Sequence, residues 1–208
     1  MSGLFGAVPA SAANDAAQVL VGCASLSIDP GRPYGQSWFG SSALLIVTEG
    51  FVVIRSAVDG SRSIVTCDAG PGMIALPPSG ADVLCALEEA RLTLVSAREF
   101  ERLLAIPPVA HTIAQQMAST LARKQEALAS FGAPRHAERV RRKLLHLAAT
   151  YGHVARDGTR IDFPLTHALL GDMTASSRES VTRSLHELEL AGVIARRGST
   201  YRLLHPSP

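Results

Sequence analysis

The chain has 208 residues, of which 47% are hydrophobic and 18% charged, and its formal net charge is +2. That length can bury a real core and leaves room for one large domain or two small ones, while no apolar run is long enough to span a bilayer, which excludes an integral membrane protein of helical type. The charge is unevenly spread: through Thr120 there are 6 Lys and Arg against 10 Asp and Glu, a net of −4, and from Leu121 onward 14 against 8, a net of +6, so the basic excess lies where a module that meets phosphate would carry it.

Residues 1–15 are rich in Ala and Ser. No Lys or Arg precedes the ASA triplet and the apolar run LFGAV is short, so the segment reads as a flexible leader and not as a signal peptide. Cys23, Cys67 and Cys85 are widely spaced, with no CxxC. An odd, scattered set of this kind reads as reduced thiols of a cytoplasmic protein, with no zinc or iron-sulfur pattern.

Residues 16–106 read as β-structure. ALLIV and FVVIR flank Thr48-Glu49-Gly50, which predicts a hairpin with Gly50 at the position of unusual φ. Asp59-Gly60 is a second turn signal; SIVTC follows as a strand before the Gly70-Pro71-Gly72 break, and DVLCAL and RLTLV around Glu88-Glu89-Ala90 predict one more hairpin. Short strands punctuated by glycine predict a small antiparallel roll or barrel. A metal-dependent cupin-like enzyme would begin with such a roll, but it needs histidines pointing inward. The first histidine here is His111, beyond the last strand of the roll, and His136, His146 and His153 show no ligand spacing; neither a metal site nor catalysis is expected.

Ser96 and Glu99 form a capping box ahead of a short helix, AREFERLL, which stops at Pro107-Pro108. A long helix follows within 107–132. Its apolar positions Ile113, Met117, Leu121 and Leu128 approach a coiled-coil spacing. The same stripe would suit a helix lying on the roll; its length and its place between two globular parts favour a dimer seam. Gly132-Ala133-Pro134 breaks the helix, which sets the boundary of a last domain, 133–208.

That domain opens with a basic helix, ERVRRKLLHLAATYG, whose apolar face is Val140, Leu144, Leu147 and Ala148. Arg139, Arg141, Arg142 and Lys143 are left to reach phosphates or simply solvent. RIDF reads as a strand, and Thr166 caps a short helix holding Leu169, Leu170 and Met173. After a tight turn at Thr174-Ala175, Ser176 and Glu179 have capping-box spacing and start another helix, with Val181, Leu185 and Leu188 on its buried side. Gly192 ends it, and VIARR and TYRLL form a hairpin around Gly198-Ser199. The exposed Glu179 and Arg183, four apart, suit an ordinary surface ion pair or a helix end that reads base edges, where Arg bridges guanine and Glu accepts from cytosine.

Helix, strand, helix, tight turn, helix and β-hairpin is the order of a winged helix-turn-helix. The stretch LTHALLGDMTASSRESVTRSLHELELAGVIARRGSTYRL resembles the C-terminal domain of the Crp/Fnr superfamily of bacterial transcription regulators, in which an LT opening, a turn and an SRExVxR recognition helix recur. The likeness continues backward through the long helix into a β-roll with the same TEG, DG and GPG turn points. It implies an α+β fold: an N-terminal antiparallel β-roll (a double-stranded β-helix of the cyclic-nucleotide-binding kind), a long dimerisation helix and a C-terminal winged helix-turn-helix. It further implies a homodimer that binds double-stranded DNA at inverted repeats with TGA-like half-sites, with RNA polymerase as a further partner. Arg178, Glu179, Thr182 and Arg183 fall at the base-reading positions, and Thr166, Ser176 and Ser177, with Arg142 of the basic helix, at phosphate contacts.

Two departures from the family pattern stand out. Ala175 takes a turn position where the family usually has glycine. In the roll, Gly72 is followed only by MIALPPSG before the next strand, without a GE-L element, and Ser79-Gly80 stand where cyclic-nucleotide-binding members carry Arg-Ser. A buried phosphate without its arginine would lack charge-assisted partners, so cyclic AMP and cyclic GMP are not the expected effectors. The oxygen-sensing members' N-terminal cysteine cluster is also missing, and the effector, if there is one, is unidentified. The alternative reading is a diverged sensor or scaffold that acts mainly through protein contacts, with weak DNA binding.

Overall fold

The computed structural model describes residues 8–59, 62–130 and 135–204. The predicted turn at Gly60 and the predicted break at Gly132-Ala133-Pro134 lie outside these. The chain divides into two compact units, one taking in residues up to 57 with 65–124 and the other residues 58–64 with 125–208. Among the described residues, no helix is long and apolar enough to cross a membrane, and no disulfide joins Cys23, Cys67 and Cys85.

The first unit opens with a helix, α1 (Ala10–Val21), which corrects the expected flexible leader over its described part. Alanine is the best helix former, and Ala12, Ala16 and Val19, at i, i+4 and i+7, are buried in one stripe. Eight strands follow: β1 (Ala24–Ile28), β2 (Pro33–Tyr34), β3 (Ser42–Glu49), β4 (Val52–Asp59), β5 (Arg62–Ala69), β6 (Ile74–Ala75), β7 (Val83–Ala86) and β8 (Ala90–Ser96). They build two four-stranded sheets, ordered β1-β8-β3-β6 and β2-β7-β4-β5. The roll is therefore as expected, but two of its predicted hairpins are not hairpins. β3 pairs with β8 and β6, and β4 with β7, so the chain changes sheet at Gly50 and again between β7 and β8. A short apolar strand and a glycine turn fit a hairpin and a sheet-to-sheet crossing equally well.

Both faces of β3 are covered, which accounts for its unbroken apolar run. Leu45 and Val47 face the roll interior with Ile28, Tyr34, Phe39, Leu84 and Leu92. Leu44 and Ile46 point the other way, into a cluster with Ala16 and Val19 of α1, Leu103 of α2 (Ala97–Leu104), and Val109 and Ile113 of α3 (Pro107–Ser130). The capping box of α2 is present: Ser96 Oγ accepts from the Glu99 amide and its hydroxyl bonds the Glu99 carboxylate. Pro107 sits at the first helical position of α3, where a missing N–H costs nothing.

Ile113 is only 1% exposed, so its predicted place in a dimer seam is corrected: the chain's own core occupies it. Gln116 ties the same stretch of α3 to the roll, its Oε1 accepting from the Ile74 amide at 3.0 Å and its Nε2 donating to the Gly72 carbonyl at 3.2 Å. Beyond that point Met117 and Leu121 are exposed, and the side chain of Leu128 lies outside the described residues.

The second unit contains α4 (His136–Tyr151), β9 (His153–Ala155), β10 (Gly158–Ile161), α5 (His167–Thr174), α6 (Arg178–Leu190), β11 (Ile194–Arg197) and β12 (Thr200–Leu203). Its core is the predicted set: Val140, Leu144, Leu147 and Ala148 of α4, Leu169, Leu170 and Met173 of α5, and Val181, Leu185 and Leu188 of α6 are all buried. The strands form one antiparallel sheet in the order β11-β12-β10-β9. The β11–β12 hairpin is the wing, turning at Gly198 and Ser199.

Candidate nucleic-acid interface

α6 has two faces with different work. Val181, Ser184, Leu185 and Leu188 are buried, and Arg178, Glu179, Thr182, Arg183 and His186 line a shallow exposed concavity. All four residues expected to read bases thus lie on one exposed face. Among the described residues no hydrogen bond or ion pair joins Glu179 to Arg183. The ordinary surface-pair explanation of these two charges therefore has no bond to stand on. The Glu179 carboxyl is held below its usual value, first by its own backbone amide, then by the Ser177 hydroxyl and by Arg178. An ionised carboxylate can only accept, which suits a base-edge amino group.

The N-cap of α6 is Ser177, one residue later than expected. Ser177 Oγ accepts from the Ser180 amide at 3.1 Å. Ser176 is instead part of the turn: its hydroxyl donates to the Thr174 carbonyl at 3.2 Å and accepts from Arg139 Nη2 at 3.2 Å, with His136 Nδ1 3.0 Å away. That hydroxyl is engaged within the protein. Thr166 is the N-cap of α5, accepting from the Leu169 amide at 3.1 Å, as predicted.

The turn between the two helices is tight. Ala175 is in the left-handed region, φ 46° and ψ 47°, and among the described residues no other non-glycine has a positive φ. Such a conformation costs an L-residue on the order of 1–2 kcal/mol. Gly171 lets the turn close: the Ser176 amide donates to its carbonyl at 3.0 Å, and a Cβ on Gly171 would lie 2.7 Å from the Ser176 carbonyl oxygen. Sequence reasoning passed over Gly171, although a glycine inside an eight-residue helix is costly and signals a close approach.

Two further groups surround this face. Arg139, expected among the outward basic residues, is 8% exposed and points into the turn. His167, at the first position of α5, has its Nδ1 2.8 Å from Thr182 Oγ1 and its Nε2 2.8 Å from Arg196 Nη1 of the wing. Thr182 also donates its hydroxyl to the Arg178 carbonyl at 2.9 Å, so its methyl group is what remains for a base. Arg142 is exposed and paired on its own helix with Glu138, Nε to Oε1 2.8 Å. This contact, with help from Arg141, keeps the Glu138 carboxyl below its usual value.

Residues 138–207 match the model of the Crp-like helix-turn-helix domain. No curated protein sequence matches the chain. Solved structures do. A CRP-family transcriptional regulator from Thermus thermophilus is 26% identical, with 86% of this chain and 92% of that one covered and a TM-score of 0.66. The c-di-GMP-responsive global regulator CLP of Xanthomonas campestris is 19% identical over 93% and 100% of the two chains, TM-score 0.70. A CooA mutant from Carboxydothermus hydrogenoformans is 15% identical over 89% and 85%, TM-score 0.76.

Proposed function

We propose that this chain, which matches the Crp-like helix-turn-helix over residues 138–207, is a regulator of the Crp/Fnr superfamily and acts as a homodimer on inverted-repeat DNA. α6 enters the major groove. Glu179 accepts from a cytosine amino group and Arg183 bridges O6 and N7 of a guanine within a TGA-like half-site, with Arg178 beside them. Ser177 and Thr166 present helix N-termini to the backbone, and Arg142 exchanges its partner Glu138 for a phosphate. A second copy, joined along α3 through Met117 and Leu121, places its own α6 in the next major groove, roughly 34 Å away. RNA polymerase is the further partner of such a regulator, and the cytoplasm its compartment.

The observation that carries this reading is the exposed face of α6, where Arg178, Glu179 and Arg183 stand together with no bond between Glu179 and Arg183. Cyclic nucleotides are not its effectors. In support, residues 76–82, between β6 and β7, form no helix, and Ser79-Gly80 offer a phosphate no cation. Saturable calorimetric binding of cyclic AMP with a gain in DNA affinity would overturn that part.

The test of the reading as a whole is selection of bound sequences from a random duplex pool, followed by Arg183→Ala. The selected site should be an inverted repeat. Arg183→Ala should cost about 1–3 kcal/mol on it and relax preference at one base pair. An equal loss on selected and random DNA would show that Arg183 does not read a base.

A further inference from the structure

The turn that aims α6 is held from outside by an arginine. Arg139 lies on α4, nearly fully buried. Its Nη2, with two N–H groups to share, lies 3.2 Å from Ser176 Oγ and 3.5 Å from the Ala175 carbonyl in the turn, and 2.6 Å from His136 Nδ1 on its own helix. A guanidinium only donates, so His136 Nδ1 must present its lone pair, and the Ser176 proton goes to the Thr174 carbonyl. Gly171 in turn allows the Ser176 carbonyl so close that any side chain there would collide with it. Ala175 in this turn has a left-handed conformation that glycine would adopt without penalty.

We propose that Arg139 is a positioning residue for base reading: without touching DNA, it holds Ala175 and Ser176 in the strained turn and so fixes the direction in which α6 presents Arg178, Glu179 and Arg183. The proposal rests on the reading of α6 as the DNA-reading helix. Its physical content is a coupling between Arg139 and Ala175. An alanine in this conformation needs the brace, and a glycine does not.

Four proteins test it: wild type, Arg139→Met, Ala175→Gly and the double variant, each titrated against the selected inverted repeat and against random duplex. Arg139→Met should lower the ratio of selected to random affinity by about tenfold or more, the equivalent of at least ~1.4 kcal/mol. Ala175→Gly alone should leave the ratio near wild type, and the double variant should recover most of the loss. Arg139→Lys should recover part, because its side chain is one bond shorter and its strongly hydrated ammonium costs more to bury. Amide hydrogen exchange without DNA gives an independent readout: Ser176 and Ser177 should exchange faster in Arg139→Met while the α4 amides after Leu144 stay protected.

A wild type that discriminates alongside an Arg139→Met that discriminates equally well would overturn the positioning role and leave the reading of α6 intact. A wild type with no preference would overturn that reading and this proposal together. An equal loss on selected and random DNA would make Arg139 a phosphate contact. A double variant no better than Arg139→Met, with α4 exchange raised throughout, would reduce it to a core residue. Either outcome also overturns the proposal.

Discussion

His167 connects α6 to the wing through one ring. Arg196 can only donate, so Nε2 of His167 must carry the lone pair, and the ring's proton sits on Nδ1, pointing at Thr182. The imidazole is therefore neutral, and its pKa is pushed down, first by burial and then by Arg196 and Arg178, with Glu189 opposing them. The sign of the pH effect follows. The unfolded chain, with the ordinary histidine value of 6.5, takes up the proton before the folded one does, so folding stability falls as pH drops through that value toward the lower folded pKa. In thermal melts from pH 7.5 down to 5, His167→Gln should give a shallower fall in Tm than wild type; a fall of equal steepness would assign the acid sensitivity to other groups. Ser177→Ala should cost about 1 kcal/mol through the lost cap. At this scale the chemistry of the face was legible: Arg178, Glu179 and Arg183 stand where an exposed i, i+4 pattern put them. The cap was off by one because Ser176 and Ser177 are adjacent and both offer an acceptor to an amide three residues on. The inward turn of Arg139 was not legible, since a basic helix reads as outward-facing until a tertiary acceptor is known.

α3 shows how one apolar stripe can serve two partners. Ile113 is consumed by the cluster it shares with α1 and α2, and Gln116 fixes the helix to the β6 turn, while Met117 and Leu121 further along are exposed. A dimer seam and a surface helix have the same periodicity, so the sequence could not say where along the helix one gives way to the other. Because Leu121 is 59% exposed in the single chain, Leu121→Glu should leave the protomer's Tm nearly unchanged yet yield monomers by light scattering, with loss of the two-site affinity. Wild-type monomers at micromolar concentration would sink the dimer instead. The elements themselves were largely foreseen, down to the caps of α2 and α5. Missed were α1, whose alanines looked like low complexity, the strands β1, β2 and β6, short or without a sustained apolar run, and β9, three exposed residues with no apolar alternation to announce them.

At the scale of the molecule, the charge imbalance between the two parts of the chain sets how binding responds to salt. Affinity for DNA should fall steeply with ionic strength, and Arg142→Ala should weaken all sequences alike and lower the salt slope by about 1. A slope unchanged by Arg142→Ala would mean that the residue stays with Glu138. The roll carries a different consequence. At its crossing from one sheet to the other, Gly50 lies so near the second crossing that a Cβ would sit 2.4 Å from the Glu89 carbonyl oxygen and 2.7 Å from the Ala90 Cα. The two crossings are distant in sequence and touch in space, and the strands that flank them, β3 and β8, pair with each other. Neither crossing is a local hairpin, so the β3–β8 ladder waits on a long-range closure whose entropy is lost before that ladder repays it. The roll should accordingly refold slowly for its size, and in stopped-flow measurements Gly50→Ala should lower the refolding rate; a variant that only unfolds faster would show that the crossing forms after the rate-limiting step.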